Sequence, residues 1–147
     1  MISVRPVDAA AVRPLRQAVL RPHQRAEELV WPRDLEPSTL HVAAFDGDRI
    51  VAVATVAEEP HPTAPAPEDW RVRGMATEPD ARGSGSGGAL LQALLEHARA
   101  NGGRRVWCTA RTNARSFYER WGFTAEGEEF ELPAIGPHVI MATRLED

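Results

Sequence analysis

The sequence predicts one domain of mixed α/β class, in which strands pair first and helices are interleaved later. Two observations support this prediction. Short apolar segments that are typical of strands recur along the whole chain of 147 residues. A longer segment over residues 87–101 instead places leucines at helical spacing. The chain length suits a single domain of ordinary size and leaves little room for a second.

The first half of the chain predicts four strands and two helices. Strands are expected over residues 2–7, 40–45, 49–57 and 70–77, and helices over residues 8–20 and 24–30. Asp8 can cap the first helix through its carboxylate. Asp46-Gly47 is a strong hairpin signal between the second and third strands. Four prolines within residues 59–67 exclude a helix or a central strand, so this segment is predicted to be a long surface loop.

The second half predicts two more helices and three more strands. The helices are expected over residues 87–101 and 113–121, and the strands over residues 105–110, 123–131 and 138–145. Gly102-Gly103 ends the long helix. Asn113 is expected to cap the last helix and Gly122 to stop it. The total is seven strands and about four helices.

Composition excludes several classes of function. The 21 acidic and 17 basic side chains give a net charge of −4, which argues against a general nucleic-acid binder. Cys108 is the only cysteine, which excludes an intramolecular disulfide and a multi-cysteine zinc site, and no metal site is expected. The longest apolar run, residues 50–57, is far too short to cross a bilayer, and the first residues lack the apolar core of a signal peptide. We therefore expect a cytoplasmic protein with no membrane partner.

A glycine-rich turn over residues 82–88 joins the fourth strand to the long helix. Its glycines let the backbone approach a ligand closely and adopt positive φ angles. The first N–H groups of the helix have no internal acceptors, and the helix dipole favours negative charge at that end. Arg82 adds a permanent cation. These features together suit a diphosphate group.

The turn alone does not decide which ligand is bound. A Walker loop is excluded because no Gly-Lys-Ser/Thr follows. Gly83, Gly85 and Gly88 match the dinucleotide pattern Gly-x-Gly-x-x-Gly literally, but residues 108–110 lack the acidic residue which that fold needs about 20 positions later. A glycine-rich connector without any ligand is the structural alternative.

Two signatures in the correct order carry a resemblance to a known family. Residues 77–79 read Thr-Glu-Pro and precede Arg-Gly-x-Gly-x-Gly over residues 82–87, with Ala-Leu-Leu soon after. Residues 113–123 then match Asn-x-x-x-x-Tyr-x-x-x-Gly-Phe. Together they resemble the acetyl-CoA loop and the second signature of the GNAT superfamily of N-acetyltransferases. The resemblance implies a twisted, mixed and mostly antiparallel sheet with a V-shaped splay between residues 70–77 and 105–110.

The resemblance also implies that acetyl-CoA lies in this gap as the acyl donor. Backbone groups of Met75, Ala76 and Thr77 would pair with the pantetheine arm and polarise the thioester carbonyl. The expected pyrophosphate cradle consists of Arg82, Gly83, Gly85, Ser86 and Gly87. Asn113 would touch the cofactor arm.

Tyr118 matches the tyrosine of the second signature, which in the family faces the CoA sulfur. Its phenol could protonate the leaving thiolate as a general acid. The same residue lies in a helical stripe beside Phe117 and Trp121, which also fits a core tyrosine. Cys108 lies in an apolar strand with no adjacent base, so we expect a buried structural thiol and no covalent intermediate.

A general base is needed because an amine of pKa about 10.4 is neutral in only about one molecule in 2,500 at pH 7. The candidates are Glu58, Glu59, His61 and His138. Glu58 and Glu59 could equally be a solvated strand end. His138 is embedded in a tail that resembles the family, but it could also be a hydrogen-bonded structural histidine.

These features predict an acetyl-CoA-dependent N-acetyltransferase that acts on an amine of a small molecule. A non-catalytic acyl-CoA-binding module and a protein acetyltransferase acting on lysine or N-terminal amines are the alternatives. Arg16, Arg21 and His41 could line the acceptor pocket, which the loop over residues 60–67 is expected to border. The acidic residues within 126–131 could attract a cationic acceptor or form a solvated strand. Dimers are frequent in the family, which leaves a homodimer open.

Overall fold

A computed structural model describes residues 2–145 and contains a mixed sheet of seven strands. The strands are β1 (Ile2–Val7), β2 (Leu40–Asp46), β3 (Arg49–Glu58), β4 (Asp69–Thr77), β5 (Arg105–Arg111), β6 (Thr124–Leu132) and β7 (Gly136–Arg144). Their order across the sheet is β1-β2-β3-β4-β5-β7-β6. All seven predicted strands are therefore confirmed, with small differences at their ends.

The sheet opens between its two central strands. β4 and β5 form the parallel pair, whereas the other neighbouring strands run antiparallel. Their pairing holds over Asp69–Arg105, Trp70–Val106 and Arg71–Trp107 and then stops, although both strands continue. Backbone groups that face the gap beyond Arg71 therefore have no partner strand there. The predicted splay is confirmed.

A bulge in β4 lies where the gap begins. The register with β3 shifts so that β4 carries one extra residue at this point. Gly74 sits there with a φ of +71°, a conformation that side chains disfavour. A Cβ at this position would also lie 3.0 Å from Cζ3 of Trp31. Gly74 thus lets a tryptophan from a distant segment approach the strand.

Helix α2 (Ser86–Ala100) covers one face of the sheet, and a smaller apolar cluster covers the other. The inner stripe of α2 consists of Leu90, Leu91, Leu94 and Ala98, which are all buried. On the opposite face, Val12 and Leu15 pack against Ala43, Val53 and Ala76. The predicted amphipathic stripe of the long helix therefore does build the main core.

The N-terminal helical segment is less regular than the sequence predicts. A 3₁₀ turn (Ala9–Val12) leads into the short helix α1 (Arg13–Leu15), and a π turn (Arg16–Leu20) follows. Arg16, the first residue of the π turn, is completely buried. The irregular winding lets a charged side chain at this position point inward.

Two other helix predictions are corrected by the structure. Residues 24–30 contain only a 3₁₀ turn (Ala26–Glu28), because Leu29 is the one buried residue there and a helix would have no apolar face to pack. Asn113 does not cap helix α3 (Arg115–Arg120). It lies in a 3₁₀ turn (Thr112–Ala114) that precedes the helix, and Ala114 occupies the cap position. The described residues thus contain three helices, not four.

The proline-rich loop is tied to the sheet end opposite the gap. The Asp69 carboxylate accepts hydrogen bonds from the backbone N–H groups of His61 (3.0 Å) and Ala66 (2.8 Å) and from Nε and Nη2 of Arg105 (2.8 Å each). Burial raises the pKa of Asp69, but these hydrogen bonds outweigh it and lower the pKa to about 2. The loop is therefore held rigidly at the start of β4.

We expect Asp69→Asn to lower the free energy of unfolding at pH 7 by about 2 kcal/mol. A carboxyl group with a lowered folded-state pKa stabilises the fold above its unfolded pKa, and this stabilisation is lost as pH falls through the folded value. The difference between wild type and variant should therefore shrink between pH 4 and pH 2 in urea unfolding. Asp48→Asn, in the exposed β2–β3 turn, is the matched control and should change little. A constant difference at all pH values would contradict the assignment.

Candidate active site

A cavity of about 820 Å³ occupies the gap between β4 and β5. Its size is within the usual range for small-molecule sites. Its walls come from the N-terminus of α2, the second half of β4, the end of β5, helix α3 and the π turn. The splay of the sheet therefore produces an open site that is reached by elements from both faces.

At one end of the cavity the glycine turn forms an empty backbone cradle. Gly83 and Gly85 have φ angles of +84° and +86°, and a Cβ at either position would meet nothing within 4 Å. The Ala89 N–H makes the first helical bond, to the Gly85 carbonyl (3.1 Å). The preceding N–H groups at the start of α2 have no intrahelical acceptor and are available to an anion. The local geometry thus fits the predicted diphosphate ligand.

The cavity brings most of the predicted site residues together. Those that line it are Met75, Thr77, Arg82, Gly83, Gly85, Ser86, Gly87, Asn113, Tyr118 and His138. Ala76 does not line it, because its side chain is buried in the cluster on the opposite face of the sheet. The expected contact of Ala76 with the donor uses its main-chain groups, so it does not depend on the face to which the side chain points.

Glu58 lies away from this group. It is the last residue of β3, it pairs with Trp70 near the start of β4, and its side chain is exposed. Glu58 is not among the described residues that line the cavity, although Arg71, which follows its partner Trp70, does line it. The structure therefore does not bring Glu58 to the cavity.

Two other base candidates do not line the cavity either, and each is held by a structural partner. Glu59 forms an ion pair with Arg71 (3.0 Å). His61 accepts from the Thr63 and Ala64 N–H groups at Nδ1 and bonds Glu126 through Nε2 (2.7 Å). No residue of the loop over 60–67 lines the cavity, so the expectation that this loop borders the acceptor groove is wrong. The loop joins β3 to the start of β4, and the antiparallel register of these strands places it at the end of the sheet opposite the gap.

Tyr118 is buried on helix α3 with its ring edge-to-face against Phe117 (5.1 Å) and Phe123 (5.4 Å). The phenol hydroxyl makes no hydrogen bond to another residue of the described chain. Burial raises the pKa of Tyr118 well above its ordinary value, and the neighbouring Cys108 raises it further. The phenol therefore stays protonated at any working pH and has a free donor at the cavity wall.

His138 lies on β7, opposite Arg111, and its side chain is buried against the cavity. Its Nδ1 is 2.8 Å from the Gly136 carbonyl. Because a carbonyl oxygen only accepts, the ring proton is on Nδ1 and Nε2 carries the free lone pair. In the neutral imidazole, Nε2 is therefore the atom that can accept a proton.

Sequence reasoning missed a cationic cluster at the other end of the cavity. The ring of Trp31 lies between the guanidinium groups of Arg16 (3.9 Å) and Arg73 (4.1 Å). Arg16 forms two hydrogen bonds with Asp34 (2.6 and 3.1 Å), which also accepts from the Trp31 N–H. One signal could have indicated part of this cluster. Period-two alternation in β4 places Arg71 and Arg73 on the same face of the strand.

The expected acceptor residues separate into two groups. Arg21 lines the cavity, whereas Arg16 and His41 are buried behind its wall. His41 bonds the Thr55 hydroxyl (2.7 Å) and the Asp34 carbonyl (2.9 Å). Cys108 is buried, and burial raises its thiol pKa to about 12, so it is a poor nucleophile as predicted.

Residues 9–123 match the model of the acetyltransferase (GNAT) family. The chain belongs to the GNAT family. An uncharacterised N-acetyltransferase of Bacillus subtilis, YitI, is 28% identical over 96% of this chain and 95% of its own length. A mycothiol acetyltransferase of Kytococcus sedentarius is 35% identical, but the match covers 74% of this chain and only 36% of that protein.

Solved structures share the fold. ElaA of Escherichia coli superposes with a TM-score of 0.76 at 22% identity, covering 97% of this chain and 99% of ElaA. An aminoglycoside 6′-N-acetyltransferase solved with coenzyme A superposes with a TM-score of 0.74 at 15% identity, covering 97% and 96% of the two chains. The resemblance stated from the two signatures is confirmed, and so is the assignment of this GNAT chain as an acyltransferase with acetyl-CoA as the family's donor. Within residues 2–145, no helix is long and apolar enough to span a bilayer.

Proposed function

We propose that this GNAT enzyme transfers the acetyl group of acetyl-CoA to the amine of a small molecule by direct attack in a ternary complex. The observation that supports the proposal is the cavity itself. It joins the glycine cradle, the unpaired edge of β4, Tyr118 and His138 in one space. The donor half and the acceptor half of the reaction therefore share a site.

In this proposal the cradle at α2 binds the diphosphate and β4 positions the thioester. Arg82 and the N–H groups at the start of α2 neutralise the negative charge of the donor. Met75, Ala76 and Thr77 offer main-chain groups along the gap where β4 lacks a partner strand. Asn113, which is exposed at the mouth of the cavity, contacts the donor arm.

His138 is the general base of the proposed reaction, since it is the one base candidate that lines the cavity. Its Nε2 accepts the proton of the amine, and Nδ1 remains bonded to the Gly136 carbonyl. The amine nitrogen then attacks the carbonyl carbon, a C–N bond forms and the C–S bond breaks. Tyr118 donates its phenol hydrogen to the sulfur as that bond breaks.

Release of CoA thiol from acetyl-CoA in the presence of small amines tests this proposal. We expect amine-dependent release by wild type and a decrease of about 10²-fold in kcat/KM for His138→Gln, with unchanged affinity for acetyl-CoA. The deficit should shrink as the pH approaches the pKa of the amine, because the free base then forms without enzymatic help. His23→Gln, at an exposed histidine, is the control and should behave as wild type.

Two results would count against the proposal. Tight binding of acetyl-CoA without thiol release for any amine would favour a non-catalytic acyl-CoA-binding module. Release only with peptides that present lysine or N-terminal amines would favour a protein acetyltransferase.

A further inference from the structure

The cavity wall is strongly cationic. Among the described residues that line it, six are arginines and none is aspartate or glutamate. The arginines are Arg21, Arg71, Arg73, Arg82, Arg111 and Arg120. Arg82 belongs to the glycine turn, where the donor's phosphates are expected. The other end of the cavity therefore has more positive charge than an uncharged pantetheine arm requires.

Arg73 differs from its neighbours in having no hydrogen-bonding acceptor. Arg71 is paired with Glu59 (3.0 Å), and Arg21 and Arg111 each donate to the Leu20 carbonyl (3.0 and 2.9 Å). Arg73 makes no hydrogen bond or ion pair with any residue of the described chain, and its Nε is buried. Burial, followed by the charge of Arg71, lowers its pKa to about 10, so the side chain is still cationic at neutral pH.

The surrounding structure holds Arg73 in place without giving it a direct acceptor, although the charges of Glu59 and Asp34 act on it from a distance. Its guanidinium group stacks on one face of Trp31, and Arg16 occupies the other face. Both terminal nitrogens of Arg16 have acceptors, which are the Asp34 carboxylate, the Leu29 carbonyl (2.9 Å) and the Thr55 hydroxyl (2.9 Å), whereas its Nε, like that of Arg73, has none. Two cations thus flank one ring, and only Arg16, which does not line the cavity, is bonded to a carboxylate.

The missing anion does not come from the phosphates of acetyl-CoA. Arg73 precedes Thr77 by four strand residues, about 13 Å along β4, and the cradle lies beyond Thr77. The part of the donor that bridges this distance carries no charge. A planar guanidinium fork with a free edge is suited to a carboxylate. The anion therefore belongs to the acceptor.

We propose that the acceptor is an amine that also carries a carboxylate, as in a free amino acid, and that Arg73 binds this carboxylate in the cavity. The inference rests on the proposed function and adds the class of acceptor. It excludes polyamines and other multiply cationic acceptors, which Arg73 and the neighbouring Arg21 and Arg111 would repel. It also argues against the idea that the acidic residues within 126–131 attract a cationic acceptor, since none of them lines the cavity.

Matched substrate pairs test this inference. Each common amino acid is compared with its α-amide and with the corresponding decarboxylated amine, using acetyl-CoA and thiol release. The amide keeps the side chain and the amine but loses the carboxylate. Its amine is less basic, so a site that ignored the carboxylate would favour the amide. We expect at least one free amino acid to exceed its amide in kcat/KM by about tenfold or more.

Arg73→Gln should reduce this preference to within about threefold by raising KM for the amino acid, with affinity for acetyl-CoA unchanged. Arg73→Lys, which keeps the charge without the fork, should fall between the two. Arg99→Gln, on the exposed face of α2, is the matched control and should retain the full preference.

The outcomes separate this inference from the function on which it rests. If acetyl-CoA binds and amides or decarboxylated amines are acetylated as well as free amino acids, the function stands and the inference is overturned. It is also overturned if Arg73→Gln keeps the full preference, or if acetyl-CoA binds and no free amino acid is acetylated. Failure of acetyl-CoA to bind would overturn the proposed function first.

Discussion

Replacing Tyr118 with phenylalanine is expected to lower kcat by about 10²-fold while the Kd for acetyl-CoA stays within about twofold. The phenol is buried, protonated and without a hydrogen-bond acceptor among the described residues. Its donor is therefore free for the sulfur that becomes negative as the thioester breaks. Steady-state kinetics with a saturating amine and calorimetry with acetyl-CoA measure the two quantities separately.

The stability of the same variant is its internal control. Phenylalanine keeps the edge-to-face contacts with Phe117 and Phe123 and removes only a hydroxyl that has no acceptor. The free energy of unfolding should therefore be unchanged or slightly increased. A kcat within about threefold of wild type in a variant that folds normally would show that Tyr118 is a core residue without a chemical role.

Gly85→Asp is expected to weaken acetyl-CoA binding by at least about 10²-fold. A carboxylate at the start of α2 would occupy the space that is open beside Gly85 and repel the diphosphate. Free helical N–H groups that would otherwise bind the donor would also bond the new side chain. Equilibrium titration with acetyl-CoA measures the loss.

Gly102→Asp controls for backbone strain in this experiment. Gly102 has a φ of +85°, close to the +86° of Gly85, and a Cβ there would likewise meet nothing within 4 Å. It lies just beyond the other end of the same helix. Both substitutions put a side chain on a backbone with positive φ, and Gly102→Asp should cost more stability because its carboxylate lies at the negative end of the helix dipole. Only the substitution at Gly85 should affect binding. An unchanged Kd for acetyl-CoA in a folded Gly85→Asp variant would show that the diphosphate of the donor does not bind at the glycine turn.

Local patterns in the sequence predict most of this fold. Strand alternation, the Asp46-Gly47 turn and the leucine stripe of α2 depend on neighbours in the chain, so they can be identified before the structure is known. The glycine turn is equally local, because its chemistry comes from backbone conformation and one helix end. These are the features that the structure reproduces with the smallest changes.

The acceptor end of the cavity depends on contacts that local patterns do not contain. Trp31 reaches Arg73 only because a bulge at Gly74 leaves space for its ring. The predictions that placed the proline-rich loop and Glu58 beside the acceptor failed for a similar reason. The loop precedes β4 and Glu58 pairs with its second residue, and this strand register is a tertiary property. A glycine inside a strand pattern, such as Gly74, is the one local hint of the bulge.

Calorimetric titration of the purified protein with acetyl-CoA, with NADH as the control ligand, tests the central claim most directly. We predict saturable binding of acetyl-CoA, since its shape and charge fit the gap between β4 and β5 and the cradle at α2. We predict no binding of NADH, since the acidic residue that a dinucleotide site needs is absent. A folded protein that bound neither ligand, or that bound NADH alone, would contradict the account.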